Sequence, residues 1–424
     1  MPEALFLVGF NMTFMRAKIQ TDQHHLKAFL SITGSKSVSN RLLIIQALID
    51  DFSFLENCSN SKDTCVLSAA LKNKNLTKDV GLAGTAMRFL TAFYTIQNSA
   101  IVLTGAARMK ERPIADLVDA LIELGADITY LEKKGFPPLQ IRGKNLDGGF
   151  LSINASISSQ FISALLLIAP YLKNGIQLEL LGEVTSKPYI NMTLSLMKQY
   201  GVEATWVGTK ISVLPGTYSS QVSQVESDWS SISYIYEVLA LSNSGEVCIS
   251  QVSEASFQGD SKIMEFYRSF GVCSSIENGQ LFLKKESNFT LPKMLNFDCK
   301  ATPDLAQTIA ATACGLGVQV KITGLQTLPL KETNRLMALK VELAKCGAKV
   351  IITNNDTLEV FPLSTMPFID LEFETYEDHR MAMSLAPLAL KSRSVLIDEA
   401  EVVNKSYKNF WEDLRLLSFN IYLH

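Results

Sequence analysis

Six times along the chain a short polar cluster rich in Gly, Ser, Thr or Asp opens an apolar, helix-like run. The clusters are Gly34-Ser35-Lys36-Ser37, Gly84-Thr85, Ser158-Ser159-Gln160, Asp228-Trp229-Ser230-Ser231, Thr302-Pro303-Asp304 and Asp378-His379-Arg380. The runs behind them are Leu42 to Ile49, Phe89 to Phe93, Phe161 to Ala169, Ile232 to Leu241, Ile309 to Ala313 and Met381 to Leu390. A hydroxyl or carboxylate at such a start accepts from backbone N–H groups that the first helical turn leaves unpaired, so each cluster predicts a helix N-terminus. The β-branched stretches Ile101 to Leu103, Val247 to Ile249 and Val318 to Ile322 predict strands between them.

Most neighbouring clusters stand roughly 70 to 75 residues apart, which suits a repeated unit of one buried helix and a few strands. Polar caps before apolar helices also occur without repetition, and the spacing alone leaves both readings open. If the units are real, six of them make two three-unit domains better than a solenoid. Helices aimed at one cleft would bring together unpaired N–H groups and positive dipole ends, which is an anion trap. The polar, serine-rich stretch Ser219 to Ser231 suits a crossover between lobes.

Composition narrows the setting. The 424 residues are 47% hydrophobic and 19% charged, which excludes a disordered or collagen-like polymer and leaves two or three domains with cores of their own. Net charge is −3, from 39 basic and 42 acidic side chains, so neither nucleic acid nor an anionic membrane is expected as partner and any positive site must be local. The seven cysteines form no CxxC pair and no zinc spacing, as expected of reduced thiols in a cytosolic protein. Phe161 to Leu172, the longest strongly apolar stretch, contains Ser163 and Pro170 and is about half the length a membrane span needs. Ala4 to Phe10 follows Glu3 without a basic leader or a cleavage site, so a strand is expected there rather than a secretory signal.

Chemistry-bearing residues gather at the same clusters. Lys36 and Arg41 flank the first turn, where backbone N–H groups and two cations can meet a phosphate, although a capped helix with solvated charges fits equally. The GxxxxGK[ST] spacing of a Walker loop is absent. Arg88, Arg108, Lys331, Arg335, Arg380 and Lys405 stand in similar surroundings, and Lys331 and Arg335 would share a face if they lay on a helix. Asp304 can be a cap or a base, Glu332 a surface ion pair or an active carboxylate, and His379 a structural or a catalytic imidazole. Histidines are too few for a metal cage, no GxGxxG follows a strand, and the Gly-x-Ser-x-Gly elbow is missing. No metal or redox cofactor is expected.

Taken together, nine segments resemble the 5-enolpyruvylshikimate-3-phosphate synthase (3-phosphoshikimate 1-carboxyvinyltransferase) family, in that family's order. They are Gly34-Ser35-Lys36-Ser37-Val38-Ser39-Asn40-Arg41, Ala83-Gly84-Thr85-Ala86-Met87-Arg88, Arg108-Met109-Lys110-Glu111-Arg112-Pro113-Ile114, Ser158-Ser159-Gln160-Phe161, Ser186-Lys187-Pro188-Tyr189, Pro303-Asp304, Lys331-Glu332-Thr333-Asn334-Arg335, Asp378-His379-Arg380-Met381-Ala382 and Lys405-Ser406-Tyr407. The resemblance implies an α/β, inverse α/β barrel-like fold of two domains, each of three βαβαββ units. One domain would span 34–226 and the other 1–33 plus 227–424, with two chain crossings between them. It implies transfer of the enolpyruvyl group of phosphoenolpyruvate to the 5-hydroxyl of shikimate 3-phosphate, with release of phosphate, by a monomeric cytoplasmic enzyme.

By the same resemblance Lys36, Gly84, Arg108, Gln160, Arg335, Arg380 and Lys405 would meet phosphoenolpyruvate, and Arg88 would be a further substrate-binding residue. Ser37, Arg41, Ser158, Ser159, Gln160, Ser186, Tyr189, Asp304 and Lys331 would meet shikimate 3-phosphate, with Lys36 between the two ligands. Asp304 would deprotonate the hydroxyl, and Glu332, with Lys36 nearby, would handle the proton at C3, His379 completing the catalytic group. Cations beside Glu332 should lower its pKa and favour a base over an acid, which leaves the direction of that proton open. The chain departs from the common pattern at Leu82, Phe89, Thr327 and Lys408. A sister enzyme acting on UDP-N-acetylglucosamine would show a loop cysteine, and this chain has none between Cys65 and Cys248. A noncatalytic anion-binding relative would need the cations without Asp304 and Glu332.

Overall fold

The computed structural model describes residues 15–51, 53–156, 158–184, 186–221 and 224–424. The strand expected at Ala4 to Phe10 lies outside them. After β1 (Ala17–Gln20), β2 (His25–Leu30), α1 (Lys36–Leu48) and α2 (Lys62–Lys72), the chain builds its first full unit from β3 (Thr77–Asp79), α3 (Gly84–Thr95), β4 (Ala100–Thr104), α4 (Ala115–Glu123), β5 (Asp127–Tyr130) and β6 (Leu139–Arg142). Its sheet runs β3-β4-β6-β5, parallel across the helical crossover and antiparallel across the rest.

The plan repeats. β7 (Gly149–Asn154), α5 (Ser159–Ile168), β8 (Ile176–Leu181), α6 (Lys187–Gln199), β9 (Ala204–Val207) and β10 (Lys210–Val213) form the sheet β7-β8-β10-β9. Beyond α7 (Trp229–Leu241), the strands β11 (Ser244–Ile249), β12 (Val272–Glu277) and β13 (Gln280–Lys285), with α8 (Ile263–Arg268), join the distant β2 as β12-β13-β11-β2. β14 (Met294–Asp298), α9 (Ala306–Leu316), β15 (Gln319–Thr323), α10 (Arg335–Lys345), β16 (Lys349–Thr353) and β17 (Thr357–Phe361) give β14-β15-β17-β16. The last unit, β18 (Asp370–Phe373), α11 (His379–Leu385), β19 (Ser394–Ile397), α12 (Phe410–Leu416) and β20 (Asn420–Leu423), takes in β1 as β18-β19-β1-β20. Among the described residues the unit around α1 and α2 differs, because it has only the single bridges Gly34 to Ser227 and Glu56 to Gln224. Its connecting residues 56–61 are mostly polar and turn back through side-chain hydrogen bonds such as Ser59 to Ser61 and Asn57 to Val225.

All six polar clusters open helices, four through side-chain caps. Ser35 accepts from the Val38 amide, Ser158 from Gln160, Asp228 from Ser231 and Asp378 from Arg380. A 3-10 turn, Pro303–Leu305, leads into α9 instead, and α3 starts at Gly84 without a side-chain cap. Helices α1, α3 and α5 pack together in one lobe, and α7, α9 and α11 in the other. Each triad is buried nearly all round. On α5, Phe161, Ile162, Leu165, Leu166, Leu167 and Ile168 are at most 2% exposed, and each such side chain contributes about 1.5–3 kcal/mol of burial.

Two separate hydrophobic cores result, one drawn from residues 38 to 225 and the other from 17 to 32 and 229 to 421. The chain passes between them twice, and the two crossings are paired. Ser35 N donates to Glu226 O at 2.8 Å and Asp228 N to Thr33 O at 3.1 Å. Away from this hinge the lobes touch through the Lys300–Glu183 ion pair, the Asn60 amide donating to Asn409 at 3.4 Å, and Gly259 against Pro188. A Cβ on Gly259 would lie 2.5 Å from the Pro188 Cβ. Gly259→Ala should therefore hold the lobes apart while sparing both cores, and small-angle scattering should read a larger radius of gyration than the parent chain. An unchanged radius would contradict that reading of the contact.

Candidate active site

The helix starts of both lobes converge on one cavity. From the first lobe Lys36, Ser37, Arg41, Gly84, Arg88, Ser158, Ser159, Gln160, Ser186 and Tyr189 line it, and from the second Asp304, Lys331, Glu332, Arg335, His379 and Arg380. Lys405 lines a neighbouring recess and reaches the cavity wall through its ammonium, 2.8 Å from Glu332. The expected residues are thus brought together with one exception. Arg108 sits in the 3-10 turn Ala107–Glu111, pairs with Glu111 at 2.7 Å and keeps its side chain 45% exposed, so it borders a neighbouring recess and not the cavity.

The arginine that does enter is Arg112. Proline at 113 disfavours helical backbone in the residue before it; Arg112 accordingly leaves the turn with φ −88° and ψ 123°. Its guanidinium lies over the start of α3, where a Cβ on Gly84 would come within 2.7 Å of Nη1, so a larger residue there would push the guanidinium aside. A cation against a helix N-terminus adds like charges, and an anion between them relieves both. The Arg-Pro pair was the sequence signal for this placement. Asp228, which heads the fourth polar cluster, and Thr327, one of the departures from the common pattern, also line the cavity, as does Asp63, which no motif or spacing marked.

Arg335 organises the second lobe's wall. It is 2% exposed, and its fork donates to Asp378 from Nε at 2.7 Å and Nη2 at 3.2 Å, to Asp304 from Nη1 at 2.9 Å, and to Glu332 from Nη2 at 3.0 Å. Asp304 is reached as well by Arg380 at 3.1 Å, Lys331 at 3.5 Å and, from the other lobe, the Tyr189 hydroxyl at 3.4 Å. Lys331 and Arg335 do not share a helix face. α10 begins at Arg335 with Asn334 as its cap, and Lys331 reaches the same carboxylate from the preceding loop.

The electrostatics follow from these contacts. Burial alone would push Asp304 up, yet Arg380, Lys331 and Arg335 hold its carboxyl far below the usual range. Glu332 is likewise opposed by burial and held well down by Lys405, Arg335 and Arg112. Burial, with Lys36 close by, lowers His379 well below an ordinary imidazole, so the ring is neutral; neither nitrogen makes a hydrogen bond, Nδ1 standing 3.6 Å from Asp378. Burial raises Tyr189 well above an ordinary phenol, and it stays a donor.

Two arginines serve the walls. Arg41, pulled down to about 10 by burial, donates from Nε to Thr193, from Nη1 to Ser37 O and from Nη2 to Ser163 and Tyr189 O. One Nη1 hydrogen of its five N–H groups remains for a ligand. Phe89 lies beneath it, ring centroid 5.4 Å from Cζ, so this departure from the family pattern supports Arg41. Arg88 donates to the Gly84 and Pro113 carbonyls at 3.3 and 3.1 Å and so fixes the Arg112–Pro113 segment to α3. Thr327 keeps a buried hydroxyl without a partner beside the cavity.

Lys36, Arg41, Arg88, Arg112, Lys331, Arg335, Arg380 and Lys405 thus face Asp63, Asp228, Asp304, Glu332 and Asp378. The site is cationic by about three charges within a slightly acidic chain, and buried cations in surplus select polyanions.

Comparison with known proteins gives the same direction. The family described as EPSP synthase (3-phosphoshikimate 1-carboxyvinyltransferase) matches residues 67–414. A 3-phosphoshikimate 1-carboxyvinyltransferase of Bacteroides fragilis is 44% identical, over 93% of this chain and 96% of its own length. One from Mannheimia succiniciproducens is 35% identical over 93% and 97%. The solved structure of EPSP synthase from Acinetobacter baumannii superposes with a TM-score of 0.75 over 96% of this chain and all of that one, at 20% identity, a likeness of fold.

Arg112→Ala should weaken inorganic phosphate binding by about tenfold or more, the worth of a charge-assisted hydrogen bond. Arg108→Ala should leave it within about twofold, as expected for an exposed pair. Thermal-shift titration with phosphate reads both; equal losses would remove the distinction between the two arginines.

Proposed function

The chain belongs to the EPSP synthase (3-phosphoshikimate 1-carboxyvinyltransferase) family and transfers the enolpyruvyl group of phosphoenolpyruvate to shikimate 3-phosphate, and on that premise we propose how the cleft carries out the transfer. The observation that supports the reading best is the Asp304 carboxylate, held among Arg335, Arg380 and Lys331 of its own lobe and Tyr189 of the other.

Phosphoenolpyruvate would lie against Lys36, the Gly84 backbone, Arg112, Gln160, Arg335, Arg380 and Lys405, with Arg88 holding Arg112 in place. Shikimate 3-phosphate would take Ser37, the free hydrogen of Arg41, Ser158, Ser159, Gln160, Ser186, Tyr189, Thr327 and Lys331. Neutral His379 offers one N–H to a substrate oxygen without adding charge. The reaction is addition and then elimination: C3 takes a proton and the 5-hydroxyl, giving up its own proton, attacks C2; the tetrahedral intermediate then loses a proton from C3 as phosphate leaves C2, and the C2–C3 double bond re-forms.

Within the cleft the carboxylates are the cations' counterions. Asp304 answers Arg380, Lys331 and Arg335, Glu332 answers Lys405, and Asp63 answers Lys36 at 3.4 Å. Polyanionic substrates compete for those cations. As the cations turn to phosphate and carboxylate oxygens, Asp304 and Glu332 lose part of the field that keeps them low, and their pKa values rise toward the range where proton transfer is efficient. Asp304 then takes the proton of the attacking hydroxyl. Glu332, next to Lys405 and close to the His379 ring, handles the proton at C3.

The working unit is a monomer of two lobes, 34–226 and 1–33 with 227–424. One chain supplies every group named above, and all seven cysteines stand unpaired, which suits a reducing cytoplasm. Among the described residues no helix is long and apolar enough to cross a membrane.

Phosphate release from the two substrates tests the assignment. Asp304→Asn and Lys36→Ala should each lower kcat by about a hundredfold or more, the scale of general acid–base catalysis, while circular dichroism and thermal unfolding show a folded chain. Near-normal phosphate release by either variant would overturn its role.

A further inference from the structure

Two turns deliver groups into the cleft from the second lobe, and a carboxylate outside the cavity ties them together. The first turn, Glu374 to Asp378, presents His379 and Arg380 at the start of α11. Tyr376 and Glu377 take φ 55° and 56° there, two successive left-handed residues that are not glycine, a conformation that persists only where the surroundings impose it. The second turn is the 3-10 segment Ala400–Lys405, which ends on Lys405 and is entered through Glu399, itself left-handed at φ 50°. The Glu399 carboxylate reaches back across the gap. Its Oε2 accepts from the Thr375 hydroxyl at 2.8 Å and from the Glu377 amide at 3.3 Å.

On the cavity side the same two turns are already linked, through Asp378 to Arg335, Arg335 to Glu332, and Glu332 to Lys405. Glu399 closes the circuit on the far side. Glu342, buried on α10, anchors the other edge of the first turn by accepting from the Glu374 amide at 3.1 Å and the Tyr376 hydroxyl at 2.6 Å. Without Glu399 the first turn would keep that anchor, Lys405 would keep Glu332 and α11 would still pack on the second turn, but the side-chain hydrogen bonds that tie the two turns together on the far side would be lost.

We propose that Glu399 is a positioning residue for the transfer reaction: through its bonds to Thr375 and Glu377 it sets the spacing between Arg380 and Lys405, the two cations that grip phosphoenolpyruvate. The inference rests on the assignment of those two residues to that substrate. Glu399 itself touches no substrate and acts by geometry, where a displacement of about an ångström is enough to cost rate.

The experiment is steady-state kinetics with each substrate varied in turn. Glu399→Ala should lower kcat/KM for phosphoenolpyruvate about tenfold or more while KM for shikimate 3-phosphate, held mainly by the other lobe, moves less than about twofold. Glu399→Gln, whose amide oxygen can accept both bonds, should recover most of the loss. Thr375→Val, which deletes one bond and leaves the carboxylate, should give an intermediate value and serves as the decisive variant if Glu399→Ala does not fold. Equal damage by Gln and Ala, equal shifts in both KM values, or a Thr375→Val enzyme indistinguishable from the parent would overturn the proposal. Arg380→Ala and Lys405→Ala are the controls: if they impair phosphoenolpyruvate turnover and Glu399→Ala does not, the positioning role fails and the site assignment stands. If they too are neutral, the site assignment itself fails.

Discussion

A guanidinium sealed from water must find its solvation inside the protein, and Arg335 finds it in three carboxylates from three different segments. Asp378 belongs to the start of α11, Asp304 to the turn before α9, and Glu332 to the loop before α10. Three segments from two units of the second lobe are thereby held at fixed distances by one side chain. Breaking any of these pairs would strand a buried charge, which is far more expensive than the pair itself is stabilising. That asymmetry makes the wall of the cleft rigid before any ligand arrives, and rigidity of charge is what allows a site to stabilise a transient anion without rearranging.

The same logic explains why the lobes lie against each other across so polar a seam. Few of the seam contacts described here are hydrophobic: one ion pair, an amide pair, a phenol on a carboxylate, and a proline against a glycine. Such contacts are weak individually, and the two crossings are short and paired backbone to backbone. Both cores are complete without the seam. The arrangement suits a molecule whose halves part to admit substrates and meet to exclude water.

How much of this could be read from the residues alone depended on whether the determining partner was local. Helix starts were legible because Ser35, Ser158, Asp228 and Asp378 act on amides two or three positions away. Most cleft residues were legible through the family resemblance of their motifs, which supplied what spacing could not. The failures have nonlocal causes. Arg108 and Arg112 share one motif; the adjacent Pro113 turns Arg112 out of the helical path, but that it faces inward depends on the open space at Gly84, a residue of another element. The convergence of Lys331 and Arg335 comes from a loop and not from a helical face. The reduced unit around α1 and the recruitment of β2 into a sheet with β11 depend on pairings between strands far apart in the chain, and no local periodicity encodes those.

One of these pairings bears on how the molecule comes into being. β1 is hydrogen-bonded between β19 and β20, so among the first described segments to leave the ribosome is the one that must wait for almost the last. β2 likewise waits for β11. The intervening lobe meets no such delay, because its described sheets are made of strands close together in the chain. Vectorial synthesis therefore favours a nascent chain with one finished half and one half still open, whose unpaired early strands are its most exposed liability until translation ends.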